Sequence, residues 1–195
     1  MTSRSGRSRP AAASARHPIV SSAMLGMMLF VAAETMLFGG MISAFTIIRS
    51  SAVLWPPLGQ PRLPFAETAV NTAALLLSGV LLYLAQRAHA RDPSRALRPL
   101  GLSVLLGGCF VLFQGAEWVA LVGEGLTITS STMGSFFYLI VGMHALHAVA
   151  ALGLLIHTWL RLRQGGRVEG LLAAAQVFWY FVVGLWPILY LVVYL

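Results

Sequence analysis

The chain has little charge for its length. Only 10% of its 195 residues are charged, whereas 58% are hydrophobic, and the mean hydropathy is +0.81. A soluble domain carries about 25% charged residues, so this composition indicates an integral membrane protein. Lysine is absent, and all thirteen basic residues are arginines that cluster between apolar runs. That clustering is typical of a membrane topology signal, so we expect no nucleic-acid partner.

Cysteine is almost absent. Cys109 is the single cysteine and lies inside an apolar run, which excludes an internal disulfide and is typical of a small buried side chain. The sequence also lacks a nucleophile–base pair, a phosphate-binding loop and the Cys/His spacing of a zinc site. It therefore offers no candidate catalytic residue and no candidate metal site.

Five apolar runs reach the length of about twenty residues that a bilayer span needs. They cover residues 21–48, 67–88, 100–122, 133–160 and 171–195. They are too long for the strands of a membrane barrel, which have about ten residues. The predicted fold class is therefore all-α, a polytopic membrane protein with a five-helix transmembrane domain over residues 21–195.

The first twenty residues are basic and contain no acid, and we interpret them as a disordered N-terminal tail. The apolar run that follows is too long for a signal peptide, whereas a transit peptide stays open. The proline-rich loop from Trp55 to Pro64 is predicted to be non-helical.

The arginines also predict the orientation. Eleven of the thirteen lie in the tail, the second loop or the fourth loop, and only Arg49 and Arg62 lie on the opposite side. The positive-inside rule then predicts a cytoplasmic N-terminus and, with five spans, a C-terminus outside.

Glu34 is the only charged residue in the first apolar run. A carboxylate at that depth is costly, so it is a functional candidate by default. Beside it runs a stripe of small residues, Gly26, Ala33, Gly40 and Ala44, which predicts that Glu34 borders a helix-packing seam. Two interpretations stay open: a buried group that exchanges a proton, or a structural glutamate that fastens two helices.

Other polar residues share helix faces inside the runs. Gln114 and Glu117 are three residues apart near the end of the third run, and we interpret them mainly as a structural cluster at the membrane edge. His144 and His147 also share one face, and hydrogen bonds to other helices, to the carboxylates or to a lipid headgroup are favoured over a metal or haem. Asn71, Thr72 and Ser78 are predicted to make hydrogen bonds between helices. The aromatic residues of the last run are interpreted as packing and membrane-interface residues.

Taken together, these motifs resemble subunit III of haem–copper terminal oxidases in its shorter, five-helix form. The resemblance covers nearly the whole chain beyond the tail, and five motifs carry it: Gly26–Phe38, Trp55–Gly59, Asn71–Ser78, Gln114–Trp118 and Gly134–His147.

The resemblance implies a non-catalytic subunit of a cytochrome c oxidase complex, which binds no haem or copper itself. Haem and copper are then expected in the partner subunits. The direct partner is subunit I, alongside subunit II and other respiratory-complex subunits, in a bacterial plasma membrane. Phospholipid is expected in a cleft between the helices.

The resemblance also implies roles for residues. The family's carbodiimide-reactive carboxylate, which supports proton uptake and durable turnover, corresponds to Glu34. The family's polar cluster and lipid contacts correspond to Glu117, Gln114, His144, His147 and Asn71. The last helix departs from the pattern, since Tyr180 and Val183 stand where the aerobic members have histidine and aspartate.

Because the last helix departs from the pattern, the sequence does not determine which branch of the wider family the chain resembles. A quinol oxidase and the corresponding partner of a nitric oxide reductase are alternatives within the wider family. A stand-alone small transporter or proton channel, and a b-type cytochrome anchor that uses the histidines, are alternatives of other classes.

Overall fold

The computed structural model describes residues 22–54, 63 and 65–194. Within these residues lie five long helices: α1 Ser22–Ser51, α2 Phe65–His89, α3 Pro93–Gly123, α4 Thr132–Arg163 and α5 Glu169–Leu189, which a π-helical turn continues over Tyr190–Tyr194. Each of these five is long and apolar enough to cross a membrane. The all-α, five-helix fold class is confirmed. The predicted tail, and all of the proline-rich loop except Leu63, lie outside the described residues.

Short polar residues set the ends of the helices. The Asp92 carboxylate caps α3 by accepting hydrogen bonds from the hydroxyl and the backbone N–H of Ser94, at 2.7 and 2.9 Å. These bonds, the hydroxyl bond first, hold the pKa of Asp92 below its ordinary value. Ser131 caps α4 in the same way, through the N–H of Gly134 at 3.0 Å. Gly165 follows α4 with a φ of +74°, a conformation that favours glycine.

α5 occupies the middle of the bundle, where it contacts α1, α2 and α4, while α3 packs mainly against α2 and α4. Trp179 and Trp186 of α5 are fully buried. Their indole N–H groups donate to the hydroxyls of Ser78 at 3.1 Å and Thr72 at 2.8 Å, both on α2. The predicted interhelical bonds of Thr72 and Ser78 therefore exist. Of the two roles given to the aromatic residues of the last run, these two tryptophans have the packing role, because both lie in the core.

Gly107 leaves room for the Trp179 side chain of α5 against α3. A Cβ atom added at Gly107 would lie 2.6 Å from two carbons of the Trp179 indole, whereas one added at Gly108 would meet nothing within 4 Å. Residue 107 must therefore be glycine for the indole to pass over α3 in this position.

α1 lies at the edge of the bundle, and Phe38 and Phe45 are its two buried residues. The small residues of the predicted seam, Gly26, Ala33, Gly40 and Ala44, are all exposed. Cβ atoms added at Gly26 or Gly40 would have no neighbour within 4 Å. Among the described residues the small-residue stripe is therefore not a packing seam, and larger side chains of α1, such as Phe38 and Phe45, contact the rest of the bundle.

Candidate functional site

Glu34 lies on the inner face of α1 and meets His147 of α4. The carboxyl Oε2 of Glu34 is 3.1 Å from Nε2 of His147, and the two side chains are 18% and 8% exposed. Oε2 is buried, and within the described residues it makes no hydrogen bond of good geometry, so its contact with Nε2 is one of close approach. The first of the predicted site residues is thus joined to one of the predicted histidines.

The other nitrogen of His147 fixes how this pair can be protonated. Nδ1 lies 2.7 Å from the carbonyl oxygen of Met143, and a carbonyl oxygen only accepts hydrogen bonds. Nδ1 therefore carries a proton, and in a neutral ring Nε2 is an acceptor that faces Glu34. An ionised carboxylate there would face a lone pair and leave a buried net charge, which is costly. A single proton, on either Oε2 or Nε2, would leave this pair neutral overall.

Four phenylalanines surround the imidazole of His147. The centroids of Phe30, Phe38, Phe178 and Phe181 lie 5.6 to 6.1 Å from the centroid of its ring. These rings come from α1 and α5, so the pair is enclosed by three helices. An apolar enclosure strengthens a hydrogen bond between its polar groups and makes the loss of either partner more costly.

His144 lies one helical turn before His147 and is fully buried, with 1% of its surface exposed. Its ring stacks on Trp186 with centroids 5.0 Å apart, and Phe38 meets it edge-on. Neither of its nitrogens has a hydrogen-bond partner in the part of the chain that the structure describes. The two predicted histidines therefore have different environments, although they share a helix face.

Glu117 lies at the center of a second polar cluster, where α2 begins and α3 ends. Its Oε2 accepts hydrogen bonds from Gln114 Nε2 at 2.7 Å and from the Thr68 hydroxyl at 3.1 Å. Gln114 Nε2 also lies 3.2 Å from the hydroxyl of Tyr194, which the π-helical turn brings to this point. One turn deeper, Asn71 donates from Nδ2 to the carbonyl of Phe110 at 3.2 Å.

The sequence-predicted residues therefore form two clusters and one isolated group. Glu34 pairs with His147, and Gln114 pairs with Glu117, whereas His144 stands apart from both. Sequence reasoning missed the phenylalanine enclosure and the contact of Tyr194. The i, i+3 spacing of Phe178 and Phe181 was a signal for a shared face, but no pattern indicated a π-helical turn.

The arrangement suits proton exchange and hydrogen bonding rather than metal binding. Among the described residues, no group of three or more His, Cys, Asp or Glu side chains could hold a metal ion. Glu34 and His147 offer one carboxylate and one imidazole, which is fewer than the three protein ligands of a catalytic zinc site.

Comparison with known proteins gives the family. Residues 11–195 match the sequence profile described as cytochrome c oxidase subunit III. Among curated relatives, cytochrome c oxidase subunit 3 of Synechocystis sp. is 30% identical over 191 residues, which span 95% of this chain and 81% of the relative. The Bacillus subtilis protein of the same name is 34% identical over 180 residues, 88% of this chain and 84% of the relative.

Proposed function

The chain belongs to the cytochrome c oxidase subunit III family, and from this premise we propose that it is a non-catalytic subunit that docks on the haem-bearing subunit I and supports proton uptake and lipid binding. Members of this family are subunits of a respiratory oxidase, and the chain is a multi-pass membrane protein. Haem and copper would be held by the partner subunits. The single observation that carries the proton role is the enclosed pair of Glu34 and His147.

The pair supports a role as a proton reservoir. It holds one proton between two groups that both exchange protons readily, and its net charge does not change when that proton moves between them. A group of this kind can pass its proton to a neighbouring subunit provided that it takes up another proton in the same event, because loss of the proton alone would leave a net negative charge in the membrane. Glu34 is also the carboxyl that we expect a hydrophobic carbodiimide to modify.

The proton role is tested by Glu34→Gln in the assembled oxidase. We expect the complex to assemble with an unchanged initial rate of oxygen consumption, and to lose activity over fewer turnovers than the parent. Thr35→Val is the matched control, because the Thr35 hydroxyl is exposed and donates to the Val31 carbonyl of its own helix. Carbodiimide labelling of another acid, with Glu34 left unmodified, would show that this role is wrong.

The exposed face of α1 supports docking on a larger subunit. Its small residues permit a partner helix to approach closely, and no described residue lies within 4 Å of a Cβ atom added at Gly26 or Gly40. We expect Gly40→Leu to reduce the amount of haem-bearing subunit that co-purifies with the chain. Gly153→Leu, at an equally open glycine of α4, should leave that amount unchanged. Equal recovery with both variants would place the interface on another face.

A groove between α3 and α4 supports lipid binding. It is an open surface groove of about 640 Å³, lined by Leu102, Leu105 and Trp159, with Arg98 and Arg163 at one end. The Arg163 guanidinium lies 5.6 Å from the center of the Trp159 ring. An open apolar groove with two cations at one end fits an acyl chain and an anionic headgroup.

The lipid role is tested by counting lipids on the purified oxidase. Arg98→Gln combined with Arg163→Gln should lower the bound phosphatidylglycerol, measured by native mass spectrometry. Arg91→Gln, an exposed arginine outside the groove, is the control. Unchanged phosphatidylglycerol in the double variant would contradict this role.

We also propose a bacterial plasma membrane location with the N-terminus in the cytoplasm. A bacterial relative supports the location. The clustering of eleven of the thirteen arginines on one predicted side supports the orientation.

A further inference from the structure

A cavity of about 210 Å³ lies between α3, α4 and α5, away from the Glu34–His147 pair. Its lining is mostly apolar, but it includes the side chains of Gln114, Trp118 and His144. Gln114 and His144 are 5% and 1% exposed, so these polar groups are withdrawn from any solvent outside the bundle.

Four buried polar atoms of these three residues have no hydrogen-bond partner among the residues described. They are Oε1 of Gln114, Nε1 of Trp118, and both Nδ1 and Nε2 of His144. Native proteins rarely leave buried polar atoms unpaired, because each forfeits its bonds to water without compensation. All four atoms belong to side chains that line one cavity, so an occupant of the cavity that bonds to them would satisfy all four.

The chemistry of the four atoms selects the occupant. Trp118 Nε1 can only donate, Gln114 Oε1 can only accept, and a neutral His144 donates from one nitrogen and accepts at the other. The set therefore contains two donors and two acceptors. An anion would leave the acceptors unpaired, a cation would leave the donors unpaired, and an acyl chain would leave all four unpaired. Water donates and accepts, and the cavity has room for several molecules.

We propose that this cavity holds a cluster of ordered water molecules that hydrogen-bond His144, Gln114 and Trp118. The cluster joins two parts of the molecule that no direct bond connects. At one side Gln114 bonds Glu117 through its amide nitrogen, at 2.7 Å. At the other side His144 lies one helical turn from His147. The water thereby brings exchangeable protons into the middle of the bundle. This inference does not depend on the oxidase assignment.

The test is water-edited solid-state NMR of the full chain in lipid nanodiscs, with histidine and tryptophan labelled with ¹⁵N. His144→Phe and Trp118→Phe assign the two signals. We expect magnetisation to pass from water to the His144 ring N–H and the Trp118 indole N–H. Absence of that transfer in the parent chain, with or without transfer from lipid acyl protons, would overturn the proposal.

Variants that fill the cavity provide a second test of the same proposal. Ala145→Leu places a larger side chain in the cavity and should abolish both transfers, whereas Ala150→Leu, on the exposed face of the same helix, should leave them unchanged. The Trp179 indole signal reports that the fold is kept. If Ala145→Leu does not fold, Gly115→Leu fills the cavity from α3, where a Cβ atom meets nothing within 4 Å. Undiminished transfer in a folded cavity-filling variant would also overturn the proposal.

Discussion

Replacing Glu34 by methionine isolates the energy of its contact with His147. Methionine keeps the length of the side chain and removes both carboxyl oxygens. His147 Nε2 then faces an apolar group inside its enclosure of phenylalanines, because Nδ1 stays bonded to the Met143 carbonyl. Glutamine behaves differently, since its amide N–H can donate to Nε2 in place of the carboxyl proton. We therefore expect the order of stability to be parent, then Glu34→Gln, then Glu34→Met.

The magnitude follows from the burial of the pair, whose side chains are 18% and 8% exposed. Leaving a buried polar group unpaired costs about 1–3 kcal/mol, whereas interhelical hydrogen bonds in membranes average about 0.6 kcal/mol and reach about 1.7 kcal/mol. We expect Glu34→Met to lower the free energy of unfolding by about 1–2 kcal/mol, and Glu34→Gln to lower it by less than about 1 kcal/mol. His147→Phe should remove most of the cost of Glu34→Met, because no unpaired nitrogen is then left behind.

The assay is a double-mutant cycle on the full chain, with reversible unfolding followed in mixed micelles of increasing denaturing detergent. We predict a coupling free energy of about 1 kcal/mol between positions 34 and 147. A coupling of zero, or equal costs for the glutamine and methionine variants, would refute the shared-proton arrangement.

Two further predictions concern the scaffold. Gly107→Ala should lower the free energy of unfolding by about 1–3 kcal/mol, because the new Cβ would overlap the Trp179 indole. Gly108→Ala should be neutral or stabilising by up to about 1 kcal/mol. Equal melting temperatures for the two variants would contradict the packing. The lowered pKa of Asp92 means that its capping bonds stabilise the fold above the ordinary carboxyl pKa and are lost as the pH falls through the folded-state pKa. Asp92→Asn should therefore make the melting temperature less sensitive to acid than in the parent, and an unchanged pH profile would contradict this effect.

The sequence was sufficient for the number and class of the helices, because each apolar run exceeds a bilayer thickness and turn residues separate the runs. It also predicted that Gln114 and Glu117 would meet, since residues three apart on a helix are neighbours. Such local spacing rules do not depend on how the helices are arranged.

The sequence did not reveal which residues of different helices contact one another. His147 could have met either carboxylate, and only the packing of α1 against α5 and α4 pairs it with Glu34. The small residues of α1 indicated a seam, but they face away from the bundle, because a stripe of small residues does not reveal whether its partner lies in the same chain. The buried positions of Trp179 and Trp186 likewise depend on α5 being central, which no local pattern indicates.

The most direct test of the whole account is native mass spectrometry of the affinity-tagged chain, released from its own membrane in mild detergent, together with a visible spectrum of the same sample. We predict a complex that contains one copy of this chain and a larger haem-bearing chain, and a spectrum with the absorption bands of haem. Recovery of the chain alone, or only as copies of itself, with no haem absorbance, would contradict it.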